Sequence, residues 1–123
     1  MVKVAILGFG VVGSGVAEVL TGNGAGISKK ADDLIELKYI LDVRDIPDSP
    51  FAGCFVKDFA VIEADPEINV VVETIGGVGA ALDFTERALK AGKSVVSSNK
   101  ELVATHGRRL LELAAQNNAV YLY

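Results

Sequence analysis

The sequence has little of what disulfide, metal and zinc-finger proteins need. It contains one cysteine, one histidine and no tryptophan among its 123 residues. A single cysteine, Cys54, cannot form an intrachain disulfide, which fits a reducing compartment such as the cytoplasm. Cys54 also has no His or Cys neighbours with which to bind a metal. We therefore expect no metal site and a small, partly buried apolar side chain at this position.

Positive charge and long apolar runs are scarce too. The formal net charge is −4, and no basic cluster stands out, which argues against a nucleic-acid surface. No apolar run approaches the ~20 residues that span a membrane. The first strand pattern begins at Val2, which leaves no room for a signal peptide. We expect no nucleic-acid partner, no membrane partner and a cytoplasmic location.

A glycine-rich turn at the start of the chain carries the main functional signal. An apolar run over 2–7 leads into Gly8-x-Gly10-x-x-Gly13, and a helical pattern follows over 11–20. In a dinucleotide-binding turn, Gly8 would permit the tight turn, Gly10 would admit a pyrophosphate, and Gly13 would let the helix pack against the strand. The helix N-terminus would then face the anion. A tight strand-to-helix turn without a ligand fits the same residues.

The rest of the chain alternates strand and helix patterns. We predict strands at 34–43, 53–56, 68–74, 94–97 and 120–123, and helices at 59–64, 81–91 and 102–116. A glycine stretch at 22–24 should end the first helix, and 24–33 should form a loop or short polar helix. The first helix should face the sheet with Val12, Val16, Val19 and Leu20. This alternation predicts one α/β domain, a Rossmann-type doubly wound parallel sheet in three α/β/α layers.

In such sheets the ligand lies at the carboxyl ends of the strands. Glycine amides, small hydroxyls and two cations meet there, without a Cys/His or Ser/His/Asp grouping. Lys100 follows a strand end, where it could polarise a substrate oxygen or hold an anion. It could equally be an exposed residue in the first turn of a helix capped by Asn99. Glu73 is interpreted as a strand-end carboxylate that hydrogen-bonds backbone, and His106 as a helix-surface residue.

Four stretches carry a more specific pattern, at residues 6–16, 43–45, 70–77 and 95–107. The last two contain Glu-x-Ile-Gly-Gly and Ser-Asn-Lys-x-Leu-Val-Ala-x-His-Gly, which generic Rossmann domains do not share. Across essentially the whole chain, the sequence resembles the amino-terminal NAD(P)-binding domain of homoserine dehydrogenase.

This resemblance implies an enzyme that interconverts L-homoserine and L-aspartate 4-semialdehyde, in the biosynthesis of threonine, methionine and isoleucine. The family's lysine between nicotinamide and substrate corresponds to Lys100. Family members continue into a second domain with another catalytic lysine, acidic substrate-binding residues, a metal-ion site and the dimer interface. We therefore expect residues 1–123 to be a cofactor-domain fragment, inactive alone, of a homodimer or larger assembly whose missing domain holds the small-molecule substrate.

The expected cofactor is NADP or NAD. Asp42 would suit the ribose hydroxyls of NAD, whereas Arg44 would suit the 2′-phosphate of NADP. The Val43-Arg44-Asp45 pattern resembles family members that use NADP, and this favours NADP. The predicted cofactor-binding residues are Gly8, Phe9, Gly10, Val11, Val12, Gly13, Asp42, Arg44, Thr74, Ile75, Gly76, Gly77, Ser97, Ser98, Asn99 and Lys100, and Lys100 is the predicted catalytic residue.

Two other functions fit the glycine turn. A dinucleotide-sensing regulatory domain would bind the cofactor without chemistry, although it has no need of Ser-Asn-Lys at a strand end. Another dehydrogenase of small amino-acid-like substrates would keep the fold and change the substrate.

Overall fold

The computed structural model describes residues 2–21, 35–44, 46 and 48–123. Within them, strands and helices alternate from the first element to the last. Their bounds are β1 Val2–Leu7, α1 Val11–Leu20, β2 Ile35–Leu41, a 3-10 turn Ala52–Cys54, β3 Phe55–Val56, α2 Phe59–Ala64, β4 Ile68–Glu73, α3 Gly79–Lys90, β5 Ser94–Ser97, α4 Lys100–Gln116 and β6 Tyr121–Leu122. The predicted glycine end of the first helix at 22–24, the loop at 24–33 and the strand start at residue 34 lie outside the described residues.

The described strands form one parallel sheet in the order β3-β2-β1-β4-β5-β6. This is the doubly wound order, and it reverses between β1 and β4. The apolar residues of β1 are buried from Val4 to Leu7. In β4, β-branched side chains suit the sheet interior. The predicted α/β Rossmann-type fold is confirmed.

Alternate residues of the strands separate the core into two apolar layers. Ile6 and Ile40 pack with α1 through Ala17. Their neighbours Leu7 and Leu41 pack with the layer that contains α2, α3 and α4. Since successive strand side chains point to opposite faces, helices cover both faces of the sheet, and the three predicted layers are present.

Helix α1 is rotated relative to the prediction. Its buried residues are Gly13 and Ala17, and Val16 and Leu20 pack beside them. Val12 and Val19 were predicted to face the sheet, but they are exposed. The prediction was wrong for these two valines because the helix approaches the strand through Gly13, which turns the small residues toward the sheet.

Other boundaries differ by a few residues. Gly53 and Cys54 belong to the 3-10 turn before β3. Helix α3 begins two residues earlier than predicted, at Gly79. Helix α4 also begins two residues early, at Lys100, because the Asn99 side chain caps it. Cys54 is partly buried, and this burial raises the pKa of its thiol.

Charged side chains hold the amino ends of the strands. Lys38 Nζ lies 2.6 Å from Asp65 Oδ2 and 2.8 Å from Glu67 Oε1. The hydrogen bond from Lys38 lowers the pKa of Asp65 to about 2. Lys93 is buried and donates to the Asp65 carbonyl oxygen at 2.7 Å and to that of Ile68. These ion pairs and hydrogen bonds lie at the amino ends of the strands, opposite the edge that carries the predicted site. None of the described helices is long and apolar enough to cross a membrane.

Candidate functional site

The glycine turn joins β1, α1 and β4 at the carboxyl edge of the sheet. Gly8 has a φ of +92°, which other residues rarely adopt. Its N–H donates to the Leu41 carbonyl oxygen at 2.8 Å. A Cβ on Gly13 would lie 2.1 Å from the Gly8 carbonyl oxygen. The Thr74 hydroxyl donates to the Leu7 carbonyl oxygen at 2.7 Å. Glycine is therefore required at positions 8 and 13 by the backbone itself.

Gly10 differs from these two glycines, because nothing lies within 4 Å of the Cβ that it lacks. Gly10 is the N-cap of α1, so no side chain caps this helix end. The first turn also contains no acidic residue. Val11 and Val12, which follow, are exposed. The first N–H groups of a helix have no partner within the helix, so this exposed helix end can bind a phosphate or pyrophosphate.

Phe9 occupies two roles in the turn. Its ring contacts the rings of Phe51 and Phe55 edge-on, with centroids 5.9 and 5.1 Å apart. Its backbone N–H donates to Asp42 Oδ2 at 3.0 Å, and its carbonyl oxygen accepts from Arg44. Phe9 thus links the glycine turn to the end of β2.

Asp42 and Arg44 form one unit after β2. The Asp42 carboxylate accepts from the Arg44 backbone N–H at 2.9 Å and from the guanidinium at 3.0 and 2.9 Å. The Arg44 hydrogen bond lowers the pKa of Asp42 to about 2. The Asp42 side chain is 8% exposed, whereas that of Arg44 is 58% exposed. The sequence offers the two residues as alternatives for NAD and NADP, but the structure brings them together, with the Arg44 side chain the more exposed.

Lys57 lines the same cleft as Asp42 and Arg44, and sequence reasoning missed it. It directly follows Phe55–Val56, the short β3 strand. The carboxyl-edge rule could have found it, because the strand predicted at 53–56 ends directly before it.

The turn after β4 is shaped by two glycines. Gly76 and Gly77 have φ values of +70° and +75°, and the Ile75 N–H donates to the Glu73 carboxylate at 2.8 Å. The Thr74 N–H donates to the Leu7 carbonyl oxygen at 3.0 Å. Glu73 thus hydrogen-bonds backbone, as predicted.

The turn after β5 carries Lys100 into the site. Asn99 Oδ1 accepts from the Leu102 N–H at 3.0 Å and caps α4. Lys100, the first residue of the helix, is exposed. It lines a cleft of about 450 Å³ together with Ser97, Ser98, Asn99, Val103, Ala104 and Tyr123. Lys100 is therefore both a first-turn helical residue and a residue of the carboxyl edge, so the two interpretations do not exclude each other.

The geometry gathers every predicted site residue along one edge of the sheet. The glycine turn stands at the centre, with the Asp42–Arg44 pair on one side and the turns after β4 and β5 on the other. His106 lies on α4, partly buried.

Comparisons with known proteins show the family to which the chain is similar. Residues 8–123 match the family described as "Homoserine dehydrogenase, NAD binding domain". The chain is 37% identical to the homoserine dehydrogenase of Lactococcus lactis over 99% of its own length, and 35% identical to that of Pseudomonas aeruginosa over 99%. A crystal structure of S. aureus homoserine dehydrogenase superposes with a TM-score of 0.85 at 31% identity, covering 99% of this chain and 31% of that one.

The chain spans only about 30% of the L. lactis protein and 28% of the P. aeruginosa protein. The matched part is the NAD-binding domain and supports NAD(P) binding by this chain. The chain belongs to the homoserine dehydrogenase family and corresponds to its NAD-binding domain.

Proposed function

We propose that this chain binds a nicotinamide dinucleotide across the carboxyl edge of its sheet, with the pyrophosphate on the Gly8–Gly13 turn. The observation that carries the proposal is the contrast between two glycines. Gly13 is enclosed by backbone, whereas the space beside Gly10 is open for at least 4 Å. Close packing against the backbone explains the glycine at position 13. At position 10 the space beside the helix N-terminus is open, and an anionic ligand explains it.

We propose NADP as the preferred form of the cofactor. The Asp42 oxygens already accept from Phe9 and Arg44, so they are poorly placed to accept from ribose hydroxyls. The exposed Arg44 guanidinium offers a planar, permanently charged donor group that suits a 2′-phosphate. Lys57 adds a second cation to the lining of that cleft.

We propose that the whole protein interconverts L-homoserine and L-aspartate 4-semialdehyde. The nicotinamide supplies the hydride chemistry when it is bound. Lys100 would stabilise negative charge on the substrate oxygen or move its proton, since it lies at the carboxyl edge beside an open cleft. Thr74–Gly77 would hold the nicotinamide ribose. Orienting the substrate requires the part of the family's sequence that lies outside residues 1–123, so these residues alone are expected to be inactive.

The proposal is tested by calorimetry of NADPH and NADH binding to Gly10→Val. The added side chain enters space that we assign to the pyrophosphate and touches no protein atom within 4 Å at its Cβ. We expect binding to be lost while the unfolding temperature stays close to that of the wild type.

Gly15→Val is the matched control, because its Cβ also meets nothing within 4 Å but lies further along α1. It should bind normally. Unchanged affinity in Gly10→Val would remove the pyrophosphate assignment.

A further inference from the structure

A buried carboxylate lies directly behind the nicotinamide side of the proposed site. Glu73 ends β4 and is 0% exposed. The buried polar residues of the described chain include Ser97 and Asn99 as well, and all three belong to one hydrogen-bonded group. Burying a carboxyl group is costly unless its oxygens are hydrogen-bonded, so the hydrogen-bond partners of Glu73 indicate its role.

The two oxygens of Glu73 serve different turns. Oε2 accepts from the Ile75 N–H at 2.8 Å, in the turn after β4. Oε1 accepts from the Ser97 hydroxyl at 2.8 Å, at the start of the turn after β5. The Ser97 hydroxyl in turn accepts from the Asn99 N–H at 3.1 Å. One carboxylate therefore ties together two turns that are far apart in sequence.

Asn99 closes the link from the other side. Its side-chain Nδ2 donates to the Gly77 carbonyl oxygen, and its Oδ1 caps the helix that begins with Lys100. Gly77 and its neighbour Gly76 both have positive φ, and glycine gives a turn little rigidity of its own. The shape of this turn thus depends on Asn99 and Glu73.

Glu73 itself is not positioned to react. Its side chain has no exposed surface, and both oxygens are engaged by donors. Glu73 does not line the cleft that contains Lys100, and it does not line the cleft that contains Gly8. Its action on a ligand would have to pass through the two turns that it joins.

We propose that Glu73 is a positioning residue for the nicotinamide half of the cofactor. By fixing Ile75 and, through Ser97, Asn99, it holds the turns on which the nicotinamide ribose would rest and from which Lys100 projects. The inference rests on the proposed cofactor site, and it adds that affinity for the nicotinamide half depends on a group that never touches it.

Glu73→Gln is the informative variant because it preserves size while removing one acceptor. A glutamine has one carbonyl oxygen and one NH₂ group, whereas Ile75 N–H and the Ser97 hydroxyl both donate here. If the NH₂ group faces Ser97, the hydroxyl must turn to accept from it, and its own proton loses the Glu73 acceptor. The link between the two turns is weakened at one point, and the Asp42–Arg44 side of the cleft is left intact.

The experiment measures dissociation constants for two probes, NADPH and 2′,5′-ADP, the latter lacking the nicotinamide half. In Glu73→Gln we expect the NADPH constant to rise about tenfold or more, which corresponds to about 1.4 kcal/mol. The 2′,5′-ADP constant should stay within about twofold, and the fluorescence of bound NADPH should shift toward that of free NADPH. If the wild type prefers NADH, the pair becomes NADH and AMP.

Lys93→Met is the matched control. Lys93 is also buried and hydrogen-bonded to backbone, but at the amino edge of the sheet. Its loss should lower the unfolding temperature without changing the ratio of the two constants. Loss of both ligands in Glu73→Gln, loss of neither, or the same change of ratio in Lys93→Met would overturn the inference.

Ser97→Ala decides the matter if Glu73→Gln does not fold. It removes only the hydroxyl between Glu73 and Asn99. It should weaken the binding of NADPH more than the binding of 2′,5′-ADP, as in Glu73→Gln. An unchanged ratio in Ser97→Ala would refute the link. Failure of the proposed cofactor site itself has a different signature, since the wild-type chain would then bind neither probe.

Discussion

Two glycines of α1 offer a stringent test of the packing at the turn. Gly13→Ala and Gly15→Ala make the same chemical change in the same helix, two residues apart. A Cβ at position 13 would lie 2.1 Å from the Gly8 carbonyl oxygen and 3.0 Å from the Thr74 hydroxyl, whereas a Cβ at position 15 meets nothing within 4 Å. The two substitutions should therefore change stability in opposite directions.

The magnitudes follow from the contacts. The position-13 contact is roughly an ångström shorter than 3.0 Å, below which such contacts essentially do not occur. The helix must move away from β1, at an overpacking cost of about 1–3 kcal/mol or more. Alanine in a helix interior is favoured over glycine by about 0.5–1 kcal/mol. Gly15→Ala should thus gain about 0.5–1 kcal/mol. Since both variants share this propensity gain, their difference isolates the steric cost.

Urea unfolding of the wild type and both variants measures these free energies. We expect midpoints on either side of the wild type, separated on the order of 1 M. NADPH binding should be weakened in Gly13→Ala, because the N-terminus of α1 shifts, and retained in Gly15→Ala. Equal stability of the two variants would show that α1 does not approach β1 through Gly13.

Three further predictions concern charge. Arg44→Ala should weaken the affinity for NADP by about 10- to 100-fold, the effect of losing a hydrogen bond to a charged group. The affinity for NAD should fall far less, and an equal loss for both would refute the NADP assignment. The pKa of Asp42 is lowered to about 2, so its contribution to the unfolding free energy is full above about pH 4 and is lost as pH falls toward 2. In urea titrations across this range, Asp42→Asn should lose less stability than the wild type, although Asp65, whose pKa is also lowered, titrates in both. In a longer protein that contains residues 1–123, Lys100→Ala should lower turnover about 100-fold or more while NADPH affinity survives; normal turnover would remove Lys100 from the chemistry.

Local pattern alone determined the order of the elements and the edge at which the site lies. The apolar run before Gly8, the helical spacing after Gly10 and the β-branched run of β4 each depend on neighbours in sequence. The ends of β5 and α2 were predicted to the residue. The carboxyl-edge rule for parallel sheets then identified the turns that carry the candidate site.

Only the tertiary structure decided which face of α1 meets the sheet and how the site residues are joined. The exposed Val12 and buried Gly13 reverse what hydrophobic spacing predicts, because the closest backbone approach selects the smallest residue. The pairing of Asp42 with Arg44, and the bonds from Glu73 to Ile75 and Ser97, depend on side-chain direction. Ser97 lies 24 residues from Glu73 along the chain. Hydrophobic periodicity reports which residues leave water, but not which polar atoms meet after the strands are aligned.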